Sequence, residues 1–211
     1  MASGETSLRI LLVGASGTLG SAIMAELQER HEIVTAGRNS GDLRFDMTDV
    51  DAMKEALAKA GKLDAVISAA GHVKFAPFSD FQPAKTQDSL YAIGINDKLM
   101  GQVNLALAAR DVLLDGGSIT LTTGILSEQP IAMGSSATMV NGAVEGFVRA
   151  AAIELPRGLR INAVSPNVLT ESMKDYAPFF RGFEPVPATR AALAYSRSVE
   201  GRQTGQVYKV F

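Results

Sequence analysis

A glycine-rich turn between an apolar run and an amphipathic stretch constrains this chain more than any other feature. The apolar run 8–13 predicts a buried strand, and the apolar and small side chains of 21–30 predict a helix. Glycines let the backbone turn tightly and approach a bound group, and the helix N-terminus then offers N–H groups to an anion. The turn therefore predicts a nucleotide site with a pyrophosphate held by Gly14, Ser16, Gly17, Thr18, Leu19 and Gly20.

Signals for strands and helices alternate along the rest of the chain. Strands are predicted at 32–36, 43–45, 63–68, 118–122, 159–164 and 206–210, and helices at 50–60, 90–114, 135–155 and 188–199. This alternation predicts an α/β fold, a doubly wound parallel sheet (Rossmann-like) with helices on both faces. The segment 37–42 is too short for a crossover helix, so a loop is predicted there.

Length limits the chain to one domain with a large core. Of the 211 residues, 8–211 are predicted to form a single Rossmann-type dinucleotide-binding domain, and 1–7 a flexible N-terminal tail. Because 1–7 lack the apolar core of a signal peptide, the sequence predicts a cytoplasmic protein.

Composition excludes several classes of function. The formal net charge is −2 and no basic block is present, so no nucleic-acid partner is expected. No apolar run is long enough to predict a membrane span. The absence of cysteine excludes disulfides and thiolate catalysis, and two distant histidines make no zinc site.

The residues that follow the second predicted strand indicate which cofactor binds. An acidic residue there would bind the ribose 2′-hydroxyl and favour NAD. This chain instead has Arg38, whose guanidinium pairs well with a phosphate, followed by the neutral donors Asn39 and Ser40. The sequence therefore predicts that NADP(H) is preferred over NAD(H), the alternative being that Arg38 is an exposed loop arginine.

Taken together, the motifs resemble those of the short-chain dehydrogenase/reductase family over nearly the whole chain. The matching segments are 14–20, 45–49, 68–71, 117–119, 160–166 and 204–207. The first has Gly-x-x-Gly-x-x-Gly spacing in place of the family's Gly-x-x-x-Gly-x-Gly, which still leaves a glycine turn. The resemblance implies that the cofactor contacts Asp46 and Met47 at the adenine, Ala69, Ala70 and Gly71 along its length, and Pro166 and Val168 at the nicotinamide.

The catalytic residues that the resemblance implies are missing. The family uses a Tyr as general acid or base and a Lys four residues later, on the helix predicted at 135–155. In this chain Ala137 stands at the Tyr position and Asn141 at the Lys position, and Thr123 occupies the place of the family's Ser. No Tyr-x-x-x-Lys pair occurs anywhere in the sequence. Thr123 therefore remains a candidate catalytic residue of an atypical site.

A lysine in the preceding helix is a candidate replacement. The family has an Asn there, three residues before a small residue. Taking Gly101 as the small residue places Lys98 at that position, and Asn96 is the competing match. Lys98 is then a cofactor contact or a proton donor, the alternative being a solvated helix lysine. His72 and Lys74 are weaker candidates for the same pocket.

Two functions follow from these observations. The first is an NADP(H)-dependent oxidoreductase that transfers a hydride to or from a small carbonyl or alcohol substrate at a non-standard site. The alternative is a non-catalytic NADP(H)-binding sensor or regulatory protein. The family's substrate pocket is closed by a segment that is apolar here, with Met173, Tyr176, Phe179, Phe180 and Phe183.

The resemblance also implies assembly into a homodimer or homotetramer. Family members pair the helices predicted at 90–114 and 135–155 across a two-fold axis. In this chain both carry apolar or small residues on more than one face, among them Ala106, Ala109, Ala143, Ala150 and Ala152.

Overall fold

The computed structural model describes residues 7–211, so the predicted tail lies, apart from Ser7, outside the described residues. Seven strands form one parallel sheet in the order β3-β2-β1-β4-β5-β6-β7. They are β1 (Arg9–Val13), β2 (Glu32–Gly37), β3 (Leu43–Arg44), β4 (Leu63–Ser68), β5 (Leu113–Thr122), β6 (Arg160–Pro166) and β7 (Val207–Val210). The sheet confirms the predicted fold class.

Helices cover both faces of the sheet. They are α1 (Thr18–Leu27), α2 (Val50–Ala60), α3 (Gly101–Val112), α4 (Ser135–Glu154), the short α5 (Met173–Tyr176) and α6 (Ala188–Glu200). Side chains alternate along β1, so Leu11 packs in the core with α2, α3 and α4, while Ile10 packs in the core with α1 and α6. Within residues 7–211, no helix is both long and apolar enough to cross a membrane.

The strand order places a crevice in the middle of the sheet. The chain runs outward from β1 through β2 to β3, then returns to pair β4 on the other side of β1. The connections after β1 and β4 therefore diverge at the carboxyl ends of these strands, where doubly wound folds bind their ligands. The glycine turn follows β1, and the segment 69–72 follows β4.

Several predicted boundaries are wrong for identifiable reasons. Helix α1 begins at Thr18 rather than 21, because Gly17 already lies at its N-cap. The helix predicted to extend to 114 ends at Val112, and β5 begins at Leu113. The pairing of β4 with β5 shifts register between Leu63 and Ala65, which pair with Leu113 and Ser118, so β5 accommodates extra residues there.

The loop between β2 and β3 agrees with its prediction. The Asp42 carboxylate accepts hydrogen bonds from the backbone N–H and the hydroxyl of Thr35, at 2.8 and 2.7 Å. These bonds fold the segment back on itself, so β3 pairs with β2 without a crossover helix.

A π-helical segment, Gly94–Met100, leads directly into α3, and the sequence did not predict it. The wider turn of a π-helix disturbs the ordinary helical hydrogen bonds and is frequent at functional sites. Here the buried amide of Gln102 donates to the carbonyls of Lys98 and Thr122, at 3.1 and 2.9 Å. It also accepts from the Thr122 N–H at 2.8 Å. Gln102 therefore fixes the backbone of Lys98 to the end of β5.

Candidate functional site

The glycine turn after β1 is shaped for close approach by a ligand. Gly14 has a φ of 87°, and a Cβ built on it would lie 2.8 Å from the Ala69 carbonyl oxygen. A Cβ on Gly20 would overlap the carbonyl of Gly14. Gly17 is the N-cap residue of α1 and has no side chain that could bond to the first N–H groups. The first turn of α1 also has no acidic residue. The first N–H groups of α1 are therefore suited to a pyrophosphate.

One cavity, here called the Arg38 cavity, opens beside this turn and has a volume of about 300 Å³. Its walls come from the ends of β1, β2 and β4 and from the π-helical segment. The predicted cofactor residues among them are Gly14, Ser16, Arg38, Asn39, Ser40, Met47, Ala70 and Gly71.

Four charged or titratable side chains meet at the Arg38 cavity. Arg38 Nε lies 3.0 Å from Asp46 Oδ2, and an Arg38 terminal nitrogen lies 3.8 Å from Asp97 Oδ2. The Nδ1 of His72 lies 3.4 Å from the same Asp97 oxygen. Asp46 accepts from the N–H and hydroxyl of Thr48, and these bonds, together with the charge of Arg38, hold its pKa below the usual value.

A second cavity, here called the Lys98 cavity, lies at the ends of β5 and β6 and has a volume of about 260 Å³. Gly71 lines both cavities, so the two form one cleft along the carboxyl edge of the sheet. The polar lining consists of Lys98, Thr123, Asn141, Asn167 and Ser172. The apolar lining includes Val73, Phe75, Ile125, Leu126, Ala137, Pro166, Val168, Leu169, Tyr176 and Phe180.

Lys98 is held against the loop that follows β4. A Cβ built on Gly71 would lie 2.9 Å from Lys98 Cγ and 3.1 Å from its Cα, so only glycine allows this approach. Desolvation lowers the pKa of the Lys98 amine to about 8, although the neighbouring Asp97 charge opposes the shift. An amine with this pKa changes charge near neutral pH, which suits proton transfer.

Asn141 and Thr123 present different polar atoms to the Lys98 cavity. Asn141 is buried, its amide donates to the Gly124 carbonyl at 3.3 Å, and its Oδ1 has no hydrogen-bond partner. The hydroxyl of Thr123 instead donates to the buried carboxylate of Glu145 at 3.2 Å. Asn141 therefore offers a free acceptor, whereas the single hydroxyl proton of Thr123 is engaged with the protein.

Four other residues named from the sequence do not line the Lys98 cavity. Asn96 is exposed and lines neither of them, because two residues along a helix from Lys98 point to a different face. His72 lines the Arg38 cavity rather than the Lys98 cavity. The exposed Lys74 lines neither cavity, and Leu19 packs against the core on the α1 face.

The remaining residues predicted from the sequence either line one of the two cavities or pack beside it. Gly17 and Thr18 lie at the start of α1, and the carbonyl of Ala69 packs against Gly14. Asp46 reaches the Arg38 cavity through its ion pair. Of the apolar segment after β6, Tyr176 and Phe180 line the Lys98 cavity, Met173 and Phe183 pack in the core beside it, and Phe179 is exposed.

Two carboxylates of the site were missed from the sequence. Asp97 precedes Lys98 and lines the Arg38 cavity. Glu145 is buried in α4 and accepts from Ser127 at 2.7 Å as well as from Thr123. The signal for Glu145 was an acid in the middle of an Ala- and Gly-rich helix, where a buried charge requires partners.

A parallel sheet of this strand order, with a glycine turn after β1 and a cleft across its carboxyl edge, defines a dinucleotide-binding fold. The family model described as enoyl-(acyl carrier protein) reductase matches residues 10–208. The chain therefore belongs to the short-chain dehydrogenase/reductase family of oxidoreductases, which bind a nicotinamide cofactor.

Individual relatives agree with this assignment. The protein lin1944 from Listeria innocua is 51% identical, with a TM-score of 0.92 over 97% of this chain and 100% of that chain. A small-chain dehydrogenase in complex with NADPH shares the fold at 24% identity, with a TM-score of 0.82 over 97% of each chain. The L-xylulose reductase of Mesocricetus auratus is 26% identical over an alignment of 188 residues, and the match covers 81% of this chain and 75% of that protein.

Proposed function

We propose that this protein is an NADP(H)-dependent oxidoreductase acting on small, uncharged carbonyl or alcohol substrates, with Lys98 as its acid–base group. The observation that carries the proposal is the position of Lys98 in an apolar cavity joined through Gly71 to the Arg38 cavity. The cofactor fits this cleft, because the glycine turn, Arg38 and the walls of both cavities lie along one edge of the sheet.

The amine and the amide of the family's site have exchanged helices in this chain. The family resemblance implies an amide at the position of Lys98 and an amine at the position of Asn141. Both side chains line the Lys98 cavity, so the amine of Lys98 and the amide of Asn141 still meet there, although Ala137 replaces the family's catalytic tyrosine. This exchange favours the hypothesis of an active enzyme, because a binding-only protein would not need to keep these groups together.

The chemistry then divides between the cofactor and the protein. When bound, the reduced nicotinamide supplies a hydride to the carbonyl carbon. The Lys98 ammonium donates a proton to the carbonyl oxygen and is left as a neutral amine, which regains a proton from solvent. In the oxidative direction, the neutral amine accepts the hydroxyl proton. The unpartnered Oδ1 of Asn141 is an acceptor for an N–H of Lys98 or for the substrate hydroxyl.

The walls of the Lys98 cavity indicate the substrate class. Val73, Phe75, Ile125, Leu126 and Phe180 give it an apolar surface, and among residues 7–211 Lys98 is the only charged side chain that lines it. A volume of about 260 Å³ admits only a small molecule beside a nicotinamide. Two relatives support a reductase that uses NADP(H), since one is an L-xylulose reductase by name and another was solved in complex with NADPH.

A turnover assay combined with a binding titration distinguishes this proposal from the binding-only alternative. We expect NADPH consumption, followed by absorbance, with at least one member of a panel of small ketones and aldehydes. A titration of the same protein with NADPH should show saturable binding. Binding without turnover across the panel would favour a sensor, and absence of binding would refute both functions.

We further propose that α3 and α4 form the interface of a homo-oligomer. The exposed residues Ile93, Met100, Leu107 and Leu114 recur every seven residues along the π-helical segment, α3 and the start of β5. On α4, the exposed stripe consists of Met139, Ala143, Gly146, Ala150 and Ile153. Ala106 and Ala109 pack in the core instead, so their part in the predicted interface is wrong.

The glycines of α4 support a close helix contact. A Cβ built on Gly142 or Gly146 would meet nothing within 4 Å, so the chain's own packing does not require glycine there. Each glycine costs roughly 1 kcal/mol of helix stability relative to alanine. A partner helix approaching this stripe closely would account for them.

Gly146→Arg should convert the oligomer to a monomer, because the arginine would separate the paired helices. Light scattering at micromolar concentration should give a dimer or tetramer mass for the parent protein and a monomer mass for this variant. Glu55→Arg, on the exposed face of α2, is the matched control and should keep the parent mass. A monomer mass for the parent protein would refute the proposed interface.

A further inference from the structure

One carboxylate of the Arg38 cavity is held in place by the backbone of the loop after β4. Asp97 lies in the π-helical segment, and its side chain is only 13% exposed. Its Oδ1 accepts the backbone N–H of His72 at 2.8 Å, which fixes the carboxylate. Its Oδ2 lies 3.4 Å from the His72 ring and 3.8 Å from the Arg38 guanidinium. The next residue is Lys98, which lines the other cavity.

Two carboxylates lie beside Arg38, which the residues around it in the sequence did not indicate. The guanidinium is shared between Asp46 and Asp97, and the neighbouring Asn39 and Ser40 carry no charge. A cofactor phosphate that pairs with Arg38 must compete with both carboxylates and is repelled by each of them. The uncharged 2′-hydroxyl of NAD(H) meets no such repulsion.

We propose that Asp97 is a positioning residue that limits the preference for NADP(H) over NAD(H) by holding Arg38. The inference rests on the proposed function, because it requires Arg38 to meet the 2′-phosphate of the cofactor. The hydrogen bond from the His72 N–H fixes the Asp97 carboxylate in the position from which it attracts the guanidinium.

Titration of Asp97→Asn with NADPH and with NADH tests the inference. The substitution keeps an acceptor for the His72 N–H but removes the charge, so NADPH should bind about 3- to 10-fold more tightly while NADH is unchanged. Asp46→Asn is a second test variant and should also favour NADPH, because it too releases Arg38 from a carboxylate. Equal changes for the two cofactors, or no change in Asp97→Asn, would overturn the inference.

A parent protein that binds neither cofactor would instead refute the proposed function, so this failure is distinguishable from the failure of the inference about Asp97.

Discussion

Lys98→Met should lower turnover by about 10²- to 10⁴-fold, the usual contribution of a general acid or base. Methionine preserves most of the apolar stem that packs against Gly71, so the fold should be retained. Steady-state rates of NADPH oxidation measure the loss, and thermal unfolding of the variant verifies that it remains folded. A parallel NADPH titration separates a loss of proton transfer from a loss of cofactor binding.

Lys74→Met is the matched control for that experiment. Lys74 lies on the same loop as His72 but is exposed and lines neither cavity, so its removal should leave the rate unchanged. If Lys98→Met retained the parent rate and NADPH affinity, Lys98 would be an ordinary helix lysine. The binding-only function would then become the stronger one.

If the Lys98 amine transfers the proton, kcat/KM should depend on pH in opposite ways for the two directions of the reaction. Carbonyl reduction requires the ammonium, so its kcat/KM should fall as the pH rises through about 8, the pKa of Lys98. Alcohol oxidation requires the neutral amine, so its kcat/KM should rise through the same range. Profiles between pH 6 and 10 test this, and an inflection that survives in Lys98→Met would assign it to another group.

The fold could be predicted because its signals are local. Strand β4 and helix α2 have the predicted boundaries, Leu63–Ser68 and Val50–Ala60, since an apolar run and a helical periodicity define them. The cap of α2 is local as well, because the Asp49 side chain accepts from the Ala52 N–H at 3.0 Å. Boundaries set by tertiary pairing, such as the start of β5 at Leu113, carried no such signal.

The site could be predicted only in part. Motif spacing located Arg38, Lys98 and Asn141, which line the cleft, although their roles remain predictions. The π-helical turn that carries Lys98 was not predictable, because it depends on bonds between Gln102 and the distant Thr122. The surroundings of Arg38 were missed for the same reason, since Asp97 comes from an element far along the chain.

Arg38→Ala should abolish the preference for NADP(H) and turn the ratio of affinities toward NAD(H). Loss of the charge-assisted pairing with the 2′-phosphate removes about 1.5–3 kcal/mol, or roughly 10- to 100-fold in NADPH affinity. The variant also leaves Asp46 and Asp97 facing that phosphate without the guanidinium between them. NADH carries no phosphate at this position, so its dissociation constant should change little.

Fluorescence titrations with both cofactors measure this ratio, and Arg38→Lys provides the conservative comparison. Lysine keeps the positive charge but loses the planar pairing, so its preference for NADPH should fall between those of the parent and Arg38→Ala. Combining Arg38→Ala with Asp97→Asn should recover part of the NADPH affinity, because one of the two repelling carboxylates is then neutral. If Arg38→Ala kept the parent ratio, Arg38 would be a surface charge paired with Asp46, and recognition of the cofactor phosphate would belong elsewhere in the cleft.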